Sequence, residues 1–121
     1  VPADRILVGE TMNLPGNWSS SPPHKHDIEN LPKETKQEEL YFFKIKPEQG
    51  FGIQRIYSPS RNFDKSYVLF NNTVIPILYG YHPVVAAPGY KLYYLWILAG
   101  KNRLLIPCDD PKHSWIKGDV K

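Results

Sequence analysis

The chain has 121 residues, with 15 Lys and Arg against 12 Asp and Glu and a formal net charge of +3. That length suits a single domain, 1–121, that can bury its own core, and the lone cysteine, Cys108, excludes an intrachain disulfide. The basic residues form no block suited to a nucleic acid, and no apolar run nears the roughly 18 residues of a membrane span. Neither partner is expected, and the reading is a cytoplasmic domain. A start at Val1 rather than Met is what a piece of something longer would show.

Twelve prolines and eight glycines cut the chain into short segments, which argues against long helices. Taken in order, residues 5–8, 39–46, 52–57, 66–70, 73–78, 91–98 and 103–106 are rich in Val, Ile, Tyr, Phe and Leu and read as strands. Residues 27–38 are the most polar run and read as an exposed loop. Asn71-Asn72 separates two of the strands as a hairpin turn, because Asn tolerates positive φ. A short helix is expected over 109–115. Seven short strands with turn signals between them predict an all-β sandwich or barrel.

The run 91–98 carries further information. Tyr93, Leu95 and Ile97 alternate with Leu92, Tyr94, Trp96 and Leu98, so past Lys91 neither face bears a charge. One face fills the barrel. The other calls for a second sheet or another subunit, and a homodimer is expected.

Three of the four histidines stand in two informative places. His24 and His26 flank Lys25 in an extended segment after Pro22-Pro23, and residues at i and i+2 of such a segment point to one side. His82 lies between Gly80 and Pro83, in a turn that can aim a side chain inward. A carboxylate should complete the set, and strand parity chooses between Glu38 and Glu39. The Glu38 face also carries Lys44 and Lys46 and must reach solvent, so Glu39, which shares its face with Tyr41, Phe43 and Ile45, is the inward one. Three imidazoles and one carboxylate suit one divalent transition metal (Zn, Mn, Fe, Ni or Co) better than Mg²⁺ or Ca²⁺, which prefer all-oxygen shells.

His-x-His, then Glu at a strand start, then a Gly-flanked His resembles the metal signature of the cupin superfamily. Longer segments are more specific: Gly16-Asn17-Trp18-Ser19-Ser20-Ser21-Pro22-Pro23-His24-Lys25-His26-Asp27, Gly50-Phe51-Gly52-Ile53-Gln54-Arg55-Ile56-Tyr57, Gly80-Tyr81-His82-Pro83-Val84 and residues 88–96 and 109–115. Together they closely resemble the 5-deoxy-glucuronate isomerases of inositol degradation over residues 4–115, with Tyr79 and Asn71-Asn72 departing from the family's pattern. Those enzymes are two cupin domains in tandem, so the resemblance implies the metal-bearing C-terminal domain, with the N-terminal cupin domain missing. It implies a single cupin barrel (a double-stranded β-helix or jelly roll). It also implies a metal-dependent aldose–ketose isomerisation of a sugar acid, 5-deoxy-glucuronate to 5-dehydro-2-deoxy-gluconate.

For that chemistry Tyr41 and Tyr94 are candidate donors lining the pocket. Gln54 and Arg55 lie on opposite faces of their strand, so one of them points inward; Arg55 stands either as a bidentate clamp on the substrate carboxylate or as a surface arginine. Lys25 should point away from the metal. Cys108 reads as packing. Two other classes stay open: a sugar-binding or structural half without catalysis, and a cupin dioxygenase.

Overall fold

The computed structural model describes residues 2–118. Among them the strands are β1 (Ile6–Asn13), β2 (Trp18–Ser19), β3 (His24–Lys25), β4 (Gln37–Lys46), β5 (Gly52–Ser58), β6 (Phe63–Leu69), β7 (Val74–Ile77), β8 (Val84–Ala86), β9 (Lys91–Gly100) and β10 (Cys108–Asp109). Single 3-10 turns lie at Pro59–Arg61 and Ser114–Lys117. No helix of the described residues is long and apolar enough to cross a membrane.

Two four-stranded sheets, β1-β9-β4-β7 and β2-β8-β5-β6, and the small pair β10-β3 hold these strands, and every pairing is antiparallel. This is the strand order of a jelly roll, and the expected single cupin-type barrel is what the chain forms. Strand alternation builds its core. From the first sheet Tyr41, Phe43 and Ile45 of β4 and Leu92 and Tyr94 of β9 turn inward, against Ile56, Leu69, Val84 and Ala86 of the second, and Leu98 of β9 is buried too. Each large apolar side chain buried there contributes roughly 1.5–3 kcal/mol. Glu39 sits on the same inward face as Tyr41, as parity required, while Glu38, Lys44 and Lys46 are exposed.

Several local expectations need correction. Residues 103–106 are not a strand: their backbone is held by Gln37 and Thr35 and joins no neighbouring strand among the described residues. Gln37 Nε2 donates to the carbonyls of Asn102 and Leu104 at 2.6 and 2.9 Å, and Thr35 Oγ1 accepts the Ile106 amide at 2.9 Å. Asn71-Asn72 is a turn, with Asn72 at φ 68°, but it carries the chain from β6 in one sheet to β7 in the other and so makes a corner, not a hairpin. The polar run 27–38 is not uniformly exposed: Glu34, Thr35 and Gln37 are buried by the hydrogen bonds they make. The helix expected over 109–115 is only the 3-10 turn at Ser114–Lys117. Strands β2, β3, β8 and β10 have two or three residues each, too few to show alternation.

The outer face of the first sheet stays open in the single chain. Its register sets Val8 beside Ile97, Ile97 beside Leu40 and Leu40 beside Pro76, with Leu95, Phe42 and Val74 in the next row. Val8 and Val74 are exposed, and Leu40, Phe42, Leu95 and Ile97 are half-buried.

Candidate metal centre

Three local features bring the site together. β3 pairs with β10, Asp109 opposite His24, so that His24 and His26 face the barrel and Lys25 and Asp27 face out. β4 delivers Glu39 two residues inside its start. His82 follows Gly80, whose φ of +90° and closeness to the Tyr57 carbonyl (2.7 Å from where a Cβ would lie) leave room only for glycine. Tyr81 between them is pinned by two backbone bonds to Tyr57, which turns the fully buried His82 ring inward.

The hydrogen bonds define the ring tautomers. Nδ1 of His26 lies 3.0 Å from the Gln37 carbonyl, and Nδ1 of His82 lies 2.9 Å from the Gly80 carbonyl. A carbonyl only accepts, so each Nδ1 carries a proton, and in the neutral ring each Nε2 then presents a lone pair. Both lone pairs converge on one carboxylate oxygen: His26 Nε2 lies 2.9 Å and His82 Nε2 3.2 Å from Glu39 Oε2. The His82 contact is not aligned as a hydrogen bond, and that buried nitrogen has no partner. Three acceptors facing one another need a cation among them. A proton serves one pair, whereas a metal ion serves all three, and the ligand atoms of His26, Glu39 and His82 all lie within 4.8 Å of one another. The residues therefore fit a divalent transition metal, and the mixed nitrogen and oxygen donors favour the Zn, Mn, Fe, Ni and Co group.

Electrostatics agree with this. Burial alone would raise the Glu39 pKa, but the hydrogen bond with His26 and the closeness of His82 and His26 bring it down to about 2. Burial opposes charge on His26, yet Glu39 outweighs it and the pKa lies above the ordinary value. His24 lies beside this close group and not within it, its ring centroid 5.0 Å from His82 and 6.3 Å from His26. Burial first, then the neighbouring His82 and His26, lower its pKa to about 4, so it stands neutral with a lone pair to offer.

Beside His24 and Glu39 opens a cleft of about 230 Å³ whose wall includes Ser19, Ser20, Tyr41, Tyr94 and Trp96. Tyr94 OH is 2.8 Å from Ser19 Oγ, which also accepts from Asn13 Nδ2 at 2.9 Å. Tyr41 OH is 3.4 Å from Ser20 Oγ. Burial, then the charge of Glu39, push the Tyr41 pKa well above its ordinary value, so its hydroxyl stays protonated and serves as a donor. Arg55 is not brought to this site. Its side chain leaves the barrel, holds Asp64 bidentately at 2.9 and 2.7 Å and lies over the Tyr57 ring. The inward member of the pair is Gln54, fully buried, with Nε2 3.3 Å from the His82 carbonyl and Oε1 unpartnered. Sequence reasoning assigned no role to Ser19, Ser20 or Asn13. Ser19 and Ser20 lie in the segment leading to His24, and Asn13 lies past the expected end of the first strand.

A jelly-roll barrel with a histidine–glutamate group at the foot of a hydroxyl-lined cleft defines a cupin, and His26, Glu39 and His82 are a group that could hold a metal ion. Comparison with known proteins narrows the class. The model of the KduI/IolB family matches residues 1–116, and the chain belongs to that family. It is 49% identical over 115 residues to a 5-deoxy-glucuronate isomerase of Geobacillus kaustophilus and 45% identical over 114 residues to one of Bacillus subtilis strain 168. These alignments cover 95% and 94% of this chain but 42% of each relative, so the chain spans about two-fifths of their length. A crystal structure of an IolB-like protein from Salmonella typhimurium LT2 superposes with a TM-score of 0.92 at 39% identity, over 96% of this chain and 44% of that one. An oxalate oxidase, 17% identical, shares the fold with a TM-score of 0.60 over 84% of this chain and 45% of its own.

Proposed function

We propose that the chain is the metal-bearing C-terminal half of a cytoplasmic aldose–ketose isomerase that converts 5-deoxy-glucuronate to 5-dehydro-2-deoxy-gluconate in inositol degradation. The observation that carries this reading is the convergence of the His26 and His82 Nε2 atoms on the Glu39 carboxylate beside a cleft walled by hydroxyls. The names of the relatives support the substrate. His26, Glu39 and His82 would hold the metal, and His24, neutral beside them, would supply the fourth ligand. When bound there, a divalent metal would supply Lewis acidity toward the C1 carbonyl and the C2 hydroxyl of the sugar. Glu39, held anionic by the facing imidazoles, would balance that metal's charge. Tyr41 and Tyr94 donate hydrogen bonds to substrate oxygens, and the apolar floor of the barrel excludes water while hydrogen moves between C1 and C2.

The test is elemental analysis of the purified chain and of His82→Ala, followed by an NMR assay of 5-deoxy-glucuronate isomerisation. About one metal per chain, lost with activity in the variant, is the expected result. Metal without turnover, together with binding of the sugar acid, would instead assign the chain to a non-catalytic half; its span of two-fifths of its relatives makes that the second reading. The open outer face of the first sheet belongs to the same proposal: in the isolated chain it packs against a second copy.

A further inference from the structure

Lys25 and Asp27, which alternate with the two histidines, face the outer side of the barrel wall and form a contact of their own. Lys25 Nζ lies 2.7 Å from Asp27 Oδ1 and 2.7 and 2.9 Å from the two oxygens of Glu34. Glu34 Oε1 also accepts the amides of Asp27 and Ile28 at 2.9 and 3.1 Å. The second Asp27 oxygen reaches across the barrel edge and accepts the Gly80 amide at 2.8 Å. Gly80 is the residue whose carbonyl takes the Nδ1 proton of His82. One run of hydrogen bonds therefore joins the His-x-His segment to the turn that carries the distant third histidine.

We propose that Asp27, held by Lys25 and Glu34, is a positioning residue of the metal centre. It anchors Gly80, and through Gly80 it fixes both the ring orientation and the tautomer of His82, so that the Nε2 lone pair already points at Glu39 before metal arrives. The side chains of Lys25, Asp27 and Glu34 are only 16, 10 and 6% exposed, which separates this cluster from a solvated surface ion pair. Partners that orient a metal-bound imidazole through its other nitrogen govern metal affinity; here that control passes through one backbone residue. The proposal rests on the metal-centre reading but not on the isomerase activity.

The test measures Zn²⁺ affinity by chelator competition for the wild type, Asp27→Ala and Asp27→Asn. In parallel, the ¹⁵N shifts of the His82 imidazole are read in the metal-free proteins. Asp27→Ala should weaken Zn²⁺ binding by about 10–100-fold and lose the single Nδ1–H signature of His82. Asp27→Asn, whose amide oxygen still accepts the Gly80 N–H, should retain most of the affinity and the signature. Wild-type affinity and tautomer in Asp27→Ala, with only a lower melting temperature, would overturn the proposal and leave a loop clip. Equal losses in both variants would also overturn it, since the Gly80 hydrogen bond would not be the cause. If the wild type takes up no Zn²⁺, the metal reading fails by itself, and the His82 tautomer in wild type against variant decides the positioning role. If Asp27→Ala does not fold, exchange of the Gly80 amide in the metal-free wild type decides. Protection like that of the barrel strands supports the proposal, and exchange as fast as in an exposed loop overturns it.

Discussion

Glu39 is a carboxylate held inside a barrel, and its ionisation is tied to the imidazoles that face it. With a folded pKa of about 2 against an ordinary 4.5, it contributes stability that is fully present above pH 4.5 and lost as the pH falls toward 2. His24 acts in the same direction at higher pH. Its folded value of about 4 against 6.5 means that the unfolded chain takes up its proton first, so stability declines as the pH drops from 6.5 to 4. His26 works the other way, because its raised value adds stability below 6.5 that is lost as pH rises through the folded value. In thermal unfolding of the metal-free chain, Glu39→Gln should flatten the limb between pH 4.5 and 2, which is worth up to about 3 kcal/mol in the wild type. An unchanged limb would mean that other carboxylates carry the acid sensitivity. Arg55 and Gln54 make the complementary point: adjacent positions on one strand differ completely in what they touch, and only Gln54 touches the site.

At the scale of elements, β4 supports the most. Its inward residues form one side of the core and present Glu39, and its first residue, Gln37, joins two parts of the chain. The Gln37 backbone brackets His26, its amide donating to the His26 carbonyl at 2.8 Å and its own carbonyl accepting from the imidazole. Its side chain meanwhile serves the carbonyls of Asn102 and Leu104. Gln37→Ala should therefore cost about 1–3 kcal/mol in chemical denaturation, because two carbonyls lose their donor, and should hasten proteolysis within residues 101–107. Unchanged proteolysis there would show that the Thr35–Ile106 contacts suffice. The inward face of β4 was legible as alternation. The irregular course of 101–107 was not, because apolar composition resembles a strand whether the backbone pairs with a neighbouring strand or with a glutamine side chain.

For the whole molecule the open question is the outer face of the first sheet. Val8, Leu40, Phe42, Leu95 and Ile97 lie together on it, and apolar faces of this kind are where a partner is sought. Sedimentation velocity of the isolated chain should show a dimer, and Ile97→Lys, which places a charge in the middle of the face, should give a monomer that still folds. A monomeric wild type would show that a second copy does not cover it. The part of the relatives' length that this chain does not span would then be the occupant to test.

The amino-acid sequence by itself determined the all-β class, the inward parity of β4, and the inward placing of His26, Glu39 and His82. Each of these follows from local rules: turn residues that interrupt strands, side chains that alternate, and a glycine that permits a left-handed turn. Tertiary structure alone decided that Arg55 leaves the site and Gln54 enters it. It also decided that His24 stands beside the close group, that Ser19 and Asn13 support Tyr94, and that Asp27 reaches Gly80. Those contacts join segments distant along the chain, and local periodicity holds no information about which distant strands become neighbours.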